Sequence, residues 1–237
     1  FYKNEEDLIR AYRKGRVDQV SPISPKAAEN LSIEGYTQTT AVLSRVFGLF
    51  LNPNQNDALR NKDVVRAINL SIDKNKIIED VLHGFGTPID SAVPIALGGT
   101  PAVMGEVAEN RARAAELLDK AGYPLNQATG LREKSGRPLG FSISTADVAE
   151  LRSASEIIKS DLENMGVTVS IKVFDVGMLN QNIIRPREYE ALLFGQVIRN
   201  ASDLFAFWHS SQRNDPGLNV SVYTNTKVDK ILEEIIS

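Results

Sequence analysis

The fold of this chain is decided by a helix pair that reads Asp63-Val-Val-Arg-Ala-Ile-Asn-Leu-Ser-Ile-Asp-Lys-Asn-Lys-Ile-Ile78 and is followed by Gly84-Phe-Gly-Thr-Pro88. Asp63 and Asp73 are residues of the type that caps a helix N-terminus, and Gly84 supplies a stop. The apolar residues at helical spacing are Val64, Val65, Ile68 and Ile72 in the first helix and Ile77, Ile78, Val81 and Leu82 in the second. This pattern predicts two consecutive amphipathic helices, capped by Asp63 and by Asp73.

The composition is that of a globular protein with no strong bias. With 237 residues the chain can form one large domain or two small ones, and 42% of its residues are hydrophobic. A net charge of −3 gives no basic footprint for nucleic acid, and no run of Lys and Arg exceeds two residues. The apolar stretches are far too short to span a membrane. The absence of cysteine excludes disulfides and a Cys nucleophile but leaves the compartment open.

The sequence at both ends of the chain is typical of a fragment cut from a longer protein. The chain opens at Phe1 without a Met, a signal sequence or a lipoprotein cysteine. It closes inside a helix pattern made by Val228, Ile231, Leu232 and Ile235, without a capping signal. We therefore expect an excised fragment whose export signal lies outside the sequence shown.

Strand and helix patterns alternate along the rest of the chain. The clearest strand is 167–173, in which Val167, Val169, Ile171 and Val173 alternate and are expected to be buried on one face. Further strands are predicted at 37–52 as one long or two short ones, and at 139–143 and 189–197. Helices are predicted between them, a long ordered loop at 84–106 and a polar surface excursion at 125–138. The fold class is therefore α/β with a mixed sheet flanked by helices.

The sequence carries no catalytic or metal-binding motif. Its two histidines, His83 and His209, have neither ligand spacing nor a base-partner spacing, and zincin, P-loop and nucleophile-elbow patterns are absent. The pair Gly84 and Gly86 follows a helix and lacks a third glycine, which disfavours a dinucleotide site. We expect no cofactor, no metal and no catalytic residue, although a hydrolase with scattered catalytic residues stays an alternative.

Five segments, in order, resemble one protein family. They are Phe1–Val20, residues 46–52 ending in Asn52, Ala112–Pro124 with its "A-G-Y-P" stop, Ile158–Val173, and Tyr223–Leu232. The helix pair 63–88, with its "V-R-A-I-N-L-S-I-D-K" string, resembles the same family. The series resembles the second large lobe of family 5 of the extracytoplasmic solute-binding proteins, which serve peptide and nickel ABC importers. Each segment alone is weak, because amphipathic helices with such stops are common, but five in the correct order make a chance likeness improbable.

The resemblance implies a periplasmic-binding-protein-like lobe and a binding function. Residues 1–40 would belong partly to the first lobe or hinge, and residues 41–237 would form the second lobe, truncated before its return. Its partners would be a peptide or other small polar ligand and ABC permease subunits, with no nucleic acid. The location would be extracytoplasmic, with membrane contact only through a lipid anchor outside this chain. A sensory domain that reuses the same lobe is the alternative.

The resemblance also implies a ligand-facing rim. The loop after strand 189–197 would carry Gln196, Arg199 and Asn200, beside residues 84–94 and Phe47. Where peptide binders of this family have an Asp for the ligand amine, this chain has Arg199, or Ile198 if the alignment slips by one residue. Arg199 would suit a carboxylate or phosphate. Three open alternatives are that Arg199 is merely exposed, that Asn200 only caps a helix, and that Trp208 belongs to the core and does not contact ligand.

Overall fold

The computed structural model describes residues 1–102 and 105–236, in which helices alternate with strands. The helices are α1 (Glu5–Arg13), α2 (Pro25–Ile33), α3 (Lys62–Ser71), α4 (Lys74–Asp80), α5 (Val107–Lys120), α6 (Ala149–Glu163), α7 (Val176–Met178), α8 (Ala201–Trp208) and α9 (Thr226–Ile236). The strands are β1 (Arg45–Leu51), β2 (Glu133–Lys134), β3 (Arg137–Pro138), β4 (Gly140–Ala146), β5 (Thr168–Phe174) and β6 (Ala191–Val197). A π-helical turn, Leu179–Ile184, continues α7.

The main sheet has the order β1-β6-β4-β5. Strand β1 runs antiparallel to β6, whereas β6, β4 and β5 are parallel to one another. The predicted strands at 139–143, 167–173 and 189–197 therefore share one mixed sheet, and the α/β fold class is confirmed. The parallel strands end at the same edge as β1 begins, and we call this the carboxyl edge of the sheet.

The helix pair that opened the sequence analysis is present, with one correction to its caps. Asp73 accepts a hydrogen bond from the backbone N–H of Lys76 and caps α4 as predicted. The cap of α3 is Asn61, not Asp63, because Asn61 has the extended backbone conformation that a cap requires. Asp63 lies in the first turn of α3, where its carboxylate is 3.0 Å from the Lys120 ammonium of α5.

The main core lies between the sheet and helices α3, α5 and α6. Val64 and Ala67 of α3, Ala114 of α5, Leu162 of α6 and Ile143 of β4 are fully buried in it. Their positions follow the helical and strand periods, and Val64 is one of the residues that the sequence pattern placed on the apolar face of its helix. The core thus holds the carboxyl edge on a rigid base.

Two predicted segments differ in the structure. Only residues 45–51 of the 37–52 stretch form a strand, and residues 37–43 have no regular structure. The polar excursion at 125–138 contains the short β2–β3 hairpin. It is anchored by the buried Arg132, which donates to the carbonyl oxygens of Met165 and Tyr123 and pairs with Asp119.

The clean alternation of β5 does not give uniform burial. Val167 and Val169 are buried, Ile171 is half-buried, and Val173 is 43% exposed. The expectation that all four would be buried is wrong because β5 has a sheet neighbour on one side only and its C-terminal end lies at the carboxyl edge. Burial along this strand therefore falls toward that edge.

Residues 1–40 bury a small cluster of their own. Ile9, Ala27 and Leu31 form it, with Tyr12 and Tyr36 packed against it. Glu29 of α2 lies 2.8 Å from the imidazole of His83, which follows α4. The assignment of this segment to a first lobe or hinge stays a prediction.

A matched pair of substitutions tests the burial gradient of β5. Val169→Ala should lower the free energy of unfolding by roughly 1.5–3 kcal/mol, because it removes buried methyl groups and leaves a cavity. Val173→Ala, on the same strand and face, should cost less than about 0.5 kcal/mol because the side chain is largely solvated. Denaturant titration of both variants measures the difference. Equal losses would show that both ends of β5 are equally packed.

Candidate functional site

The carboxyl edge is the candidate site, because loops at the carboxyl ends of strands carry ligand contacts in open α/β sheets. Strands β4, β5 and β6 end there at Ala146, Phe174 and Val197, and β1 begins there at Arg45. The chain leaves this edge through the turn before α6, the α7 turn and the loop before α8. Candidate side chains at this edge thus lie on the strands themselves or on the short connections that follow them.

Phe47 forms an exposed aromatic platform at this edge. It pairs in the ladder with Gly195 of β6 and is 52% exposed. A Cβ on Gly195 would lie 2.7 Å from a ring carbon of Phe47, so the ring rests on the backbone of β6 where a side chain would stand. The Arg45 guanidinium carbon lies 6.0 Å from the centre of the Phe47 ring. Phe47 is therefore exposed at the carboxyl edge, with its ring against the β6 backbone and a cation beside it; its contact with a ligand stays a prediction.

Gln196 does not reach this surface. It pairs with Val46 and its side chain is buried. Successive side chains of a strand point to opposite faces, so the exposure of Phe47 beside Gly195 places Gln196 on the other face. Gln196 is therefore unavailable for contact on the exposed face of the rim.

Arg199, Asn200 and Asp203 form a closed capping arrangement at the start of α8. The Asn200 side chain accepts from the backbone N–H of Asp203 at 3.1 Å, so Asn200 has the capping role left open above. The Asp203 carboxylate in turn accepts from the backbone N–H of Arg199 at 2.8 Å and from its Nε at 3.4 Å. These hydrogen bonds, above all that from the Arg199 backbone, hold the pKa of Asp203 below its usual value.

Arg199 is therefore exposed and partly engaged. Its side chain is 75% exposed and its Nε is paired with Asp203. Among the described residues, its two terminal nitrogens have no partner. Arg199 can still offer a planar fork to an anionic group, although the nearby carboxylate reduces the net positive charge of the loop.

Trp208 has the core role left open above, with one unusual feature. Its ring packs 6.4 Å from the ring of Phe50 and 6.4 Å from that of Tyr223, measured between centroids. Its indole N–H is buried and has no hydrogen-bond partner within residues 1–102 and 105–236. Trp208 also contacts a cluster of Ile198, Leu204 and Leu232 that supports the rim loop from below.

Residues 84–94 are predicted to form part of the rim, and the structure places Val93 of this segment beneath it. Val93, together with Leu97 just beyond this range, packs against the Ile198 cluster under the rim. In the longer loop predicted at 84–106, Val103 and Met104 lie outside the described residues. The segment nearest the rim therefore supports the site by packing.

Sequence reasoning missed a set of exposed apolar residues at the same edge. Their exposed fractions range from 39% to 55%, and they are Val148, Val173, Val176, Met178 and Val197. No local pattern announces them, because their exposure follows from the strand order and from the turns that begin α6 and α7. These residues make the rim largely apolar, and Arg45 and Arg199 add two positive charges to it.

The carboxyl edge presents cationic, aromatic and apolar side chains to solvent. Within the described ranges, no three or more His, Asp or Glu side chains converge to hold a metal ion. Two open concavities contain none of the site residues predicted on β1, β6 and α8: one of about 370 Å³ beside Lys74 and Asp90, the latter from the predicted segment 84–94, and one of about 580 Å³ beside Lys134 and Arg137. The rim is an open surface, which suits a site completed by a second body.

The sequence of this chain is similar to that of known bacterial proteins. A sequence profile described as bacterial extracellular solute-binding proteins, family 5 middle, matches residues 1–217. The oligopeptide-binding protein AppA of Bacillus subtilis is 22% identical over 189 residues, covering 76% of this chain and 34% of AppA. The nickel-binding periplasmic protein of Escherichia coli is 34% identical over 125 residues, covering 50% of this chain and 23% of that protein.

Solved structures give the same fold. NikA from Brucella suis in complex with Fe(III)-EDTA has a TM-score of 0.76 at 23% identity, covering 100% of this chain and 49% of NikA. HbpA2 from Haemophilus parasuis has a TM-score of 0.77 at 23% identity, covering 99% of this chain and 45% of HbpA2. The chain thus spans less than half the length of these proteins.

The capping arrangement predicts a pH effect. Because the folded-state pKa of Asp203 is lowered, its contribution to stability is present above the unfolded value of about 3.9 and is lost as pH falls through the folded value. The wild type should therefore be more stable than Asp203→Asn near neutral pH, and the gap should close as the pH falls through about 4 and below.

Thermal unfolding of both proteins from neutral to acid pH measures this gap. Asp57→Asn is a matched control, because it removes an equal charge at a side chain that is 91% exposed and remote from the rim. A gap between the wild type and Asp203→Asn that stays constant with pH would contradict the role assigned to this carboxylate.

Proposed function

The chain belongs to the bacterial extracellular solute-binding proteins of family 5, and from this we propose that it forms the second lobe of the substrate-binding component of an ABC importer. In this proposal it captures a peptide-like or other small polar solute outside the cytoplasm. It then delivers the solute to the permease subunits. Residues 41–237 form the lobe, and residues 1–40 belong partly to the first lobe or hinge.

The observation that carries the proposal is the rim at the carboxyl edge. Phe47 and Arg45 face solvent there, the Arg199 side chain projects from the next loop, and an apolar row including Val197 lies between and beside them. Exposed aromatic and arginine side chains are the types that carry most of the energy when a surface is covered. A rim built in this way, but open to solvent, is half of a binding site.

Lobe closure supplies the mechanism. A ligand that contacts both lobes only in the closed state shifts the population toward closure by its differential affinity for the two states. Covering the rim would remove water from Phe47 and Arg199, and this would strengthen their contacts with the ligand. An isolated lobe supplies only part of these contacts and should bind weakly.

The ligand class follows from the rim chemistry. The relatives are named for binding oligopeptides and nickel, and this chain offers a cationic fork and an aromatic platform at the same edge. We assign the terminal nitrogens of Arg199 to a carboxylate or another anionic acceptor of the ligand, and Phe47 to an apolar or planar part of it.

The proposal also covers where the protein is located and whether it catalyses a reaction. We place the protein outside the cytoplasm, with any membrane anchor outside residues 1–237. Among the described residues, no helix is both long and apolar enough to traverse a bilayer. The lobe binds without catalysing a reaction, and a turnover of ligand that depends on a single Ser or Asp would overturn this.

Arg199→Ala in the full-length protein should weaken binding of a ligand with a free carboxylate by about 1.5–3 kcal/mol, or roughly ten- to a hundredfold. The reason is the loss of a charge-assisted hydrogen bond in a site from which closure removes water. Isothermal calorimetry measures the change, after thermal-shift screening of small peptides and metal chelates has found a ligand.

Arg137→Ala is the matched control, because it removes an equal charge at the opposite end of the sheet, where β3 begins. It should leave the affinity unchanged. Wild-type affinity in the Arg199→Ala variant would refute the anion assignment and leave the lobe assignment standing.

A further inference from the structure

The imidazole of His209 is buried between the end of α8 and helix α9. The residue is 8% exposed, and its ring is stacked on that of Phe205 with 4.2 Å between the ring centroids. Histidine is the side chain whose charge ordinarily changes between pH 5 and 8. A buried histidine whose two ring nitrogens contact different parts of the chain can therefore couple the packing of those parts to pH.

The first ring nitrogen, Nδ1, faces the turn that follows α8. It accepts a hydrogen bond from the backbone N–H of Ser211 at 3.1 Å, and the Ser211 hydroxyl lies 2.7 Å from the same atom. The imidazole thus caps the 3-10 turn Ser210–Gln212. Only an unprotonated ring nitrogen can accept a backbone N–H, so this cap requires the neutral imidazole with its proton on Nε2.

The second ring nitrogen, Nε2, faces two carboxylates of α9. It lies 3.4 Å from a carboxylate oxygen of Glu233 and 3.9 Å from one of Asp229. The backbone N–H of Ser210 donates to Asp229 at 3.0 Å, and this hydrogen bond is the main cause that lowers the pKa of Asp229. Asp229 is therefore ionised over the whole range in which an imidazole titrates.

The other neighbours of His209 add little that would oppose a positive charge on it. From α8 the ring meets Phe205, which is uncharged. From the 3-10 turn, Arg213 acts on Asp229 and donates from its Nε to the carbonyl of Ser210 at 2.8 Å. Within the described ranges no charged side chain other than Asp229 and Glu233 lies within ion-pair distance of the imidazole. Protonation therefore places a cation beside two anions, with Arg213 as the opposing charge.

We propose that His209 is a pH-dependent switch between two sets of contacts. When neutral, its imidazole caps the Ser210–Gln212 turn. When protonated, it can no longer accept the Ser211 N–H, and its charge holds α9 more tightly through Glu233 and Asp229. Acidification thus loosens the turn and strengthens the attachment of α9.

This switch acts on the base of the rim. Leu232 and Val228 of α9 pack in the same cluster as Ile198, which directly precedes the rim residue Arg199. A firmer attachment of α9 therefore reaches the loop that carries Arg199. The switch itself depends on contacts within the lobe alone, so it does not rest on the proposed function and needs no ligand to be tested.

Nitrogen-15 NMR of the histidine rings tests the first half of the proposal, on the longest natural polypeptide that contains residues 1–237. At pH 8 the Nδ1 of His209 should be unprotonated and Nε2 protonated, and both should carry protons at pH 5. The His209→Gln variant assigns the signals. His83 is the internal control, because its Nδ1 lies 2.8 Å from a Glu29 carboxylate oxygen and no backbone N–H donates to its ring. A proton on Nδ1 of His209 at pH 8 would refute the cap and with it the switch.

Hydrogen exchange followed by mass spectrometry tests the second half. Between pH 8 and pH 5 the protection factor at Ser211 should fall roughly tenfold, whereas that at Leu232 should rise roughly threefold. Both changes should vanish in His209→Gln. A fall at both sites would indicate general loosening by acid and would overturn the proposal, and so would changes that persist in His209→Gln.

A milder variant keeps the test valid if His209→Gln does not fold. Glu233→Gln removes one carboxylate from a side chain that is 60% exposed, and it should lower the midpoint of the His209 titration by roughly 0.2–0.7 pH units. Asp57→Asn is the matched control, because it removes an equal charge far from α9 and should leave the midpoint unchanged. An unchanged midpoint in Glu233→Gln, or an equal shift in both variants, would show that α9 does not sense the charge of His209.

Discussion

Glu190, through its carboxylate and its backbone carbonyl, links the three strands β1, β4 and β6 on which the rim depends. It accepts hydrogen bonds from the backbone N–H and the hydroxyl of Ser142 in β4, each at 2.7 Å, and from the Asn56 amide at 2.8 Å. The Glu190 carbonyl accepts from the N–H of Asn52, just after β1. These contacts fix the register of β6 between β1 and β4. A slip by one residue would exchange the faces of β6 and turn Gly195 away from Phe47.

From this register the character of the rim follows. Gly195 faces the side of the sheet on which the Phe47 ring lies, and Gln196 faces the packed side. Beyond β6, Ile198 is buried against Leu204 of α8 and Leu232 of α9. The exposed binding groups are therefore supported by buried neighbours one or two residues away. Such support keeps an exposed aromatic or arginine side chain in one place, which lowers the entropy lost on binding.

The sequence predicts structural features that depend on neighbouring residues. It does not predict features that depend on the order of the strands in the sheet. The sequence predicts the Asp73 cap correctly from its neighbours alone, whereas the predicted Asp63 cap is wrong and Asn61, two residues earlier, caps α3. The backbone conformation of each residue determines which one is the cap, and the sequence pattern does not predict this conformation. The exposure of Val173 could not be foreseen, because the alternation of β5 does not say that it is an edge strand.

The net charge of the rim could not be predicted from the sequence either. Arg199 was chosen as an anion-binding residue from its place in the family pattern, without its carboxylate partner one helical turn later. The pair has two opposing effects on binding. Asp203 holds Nε and so orients the guanidinium, but it also reduces the attraction for a distant anion. A ligand carboxylate must then be favoured by close contact with the terminal nitrogens of Arg199. In the proposed function, close contact of this kind would arise when a second surface covers the rim, so recognition at this edge would depend on closure.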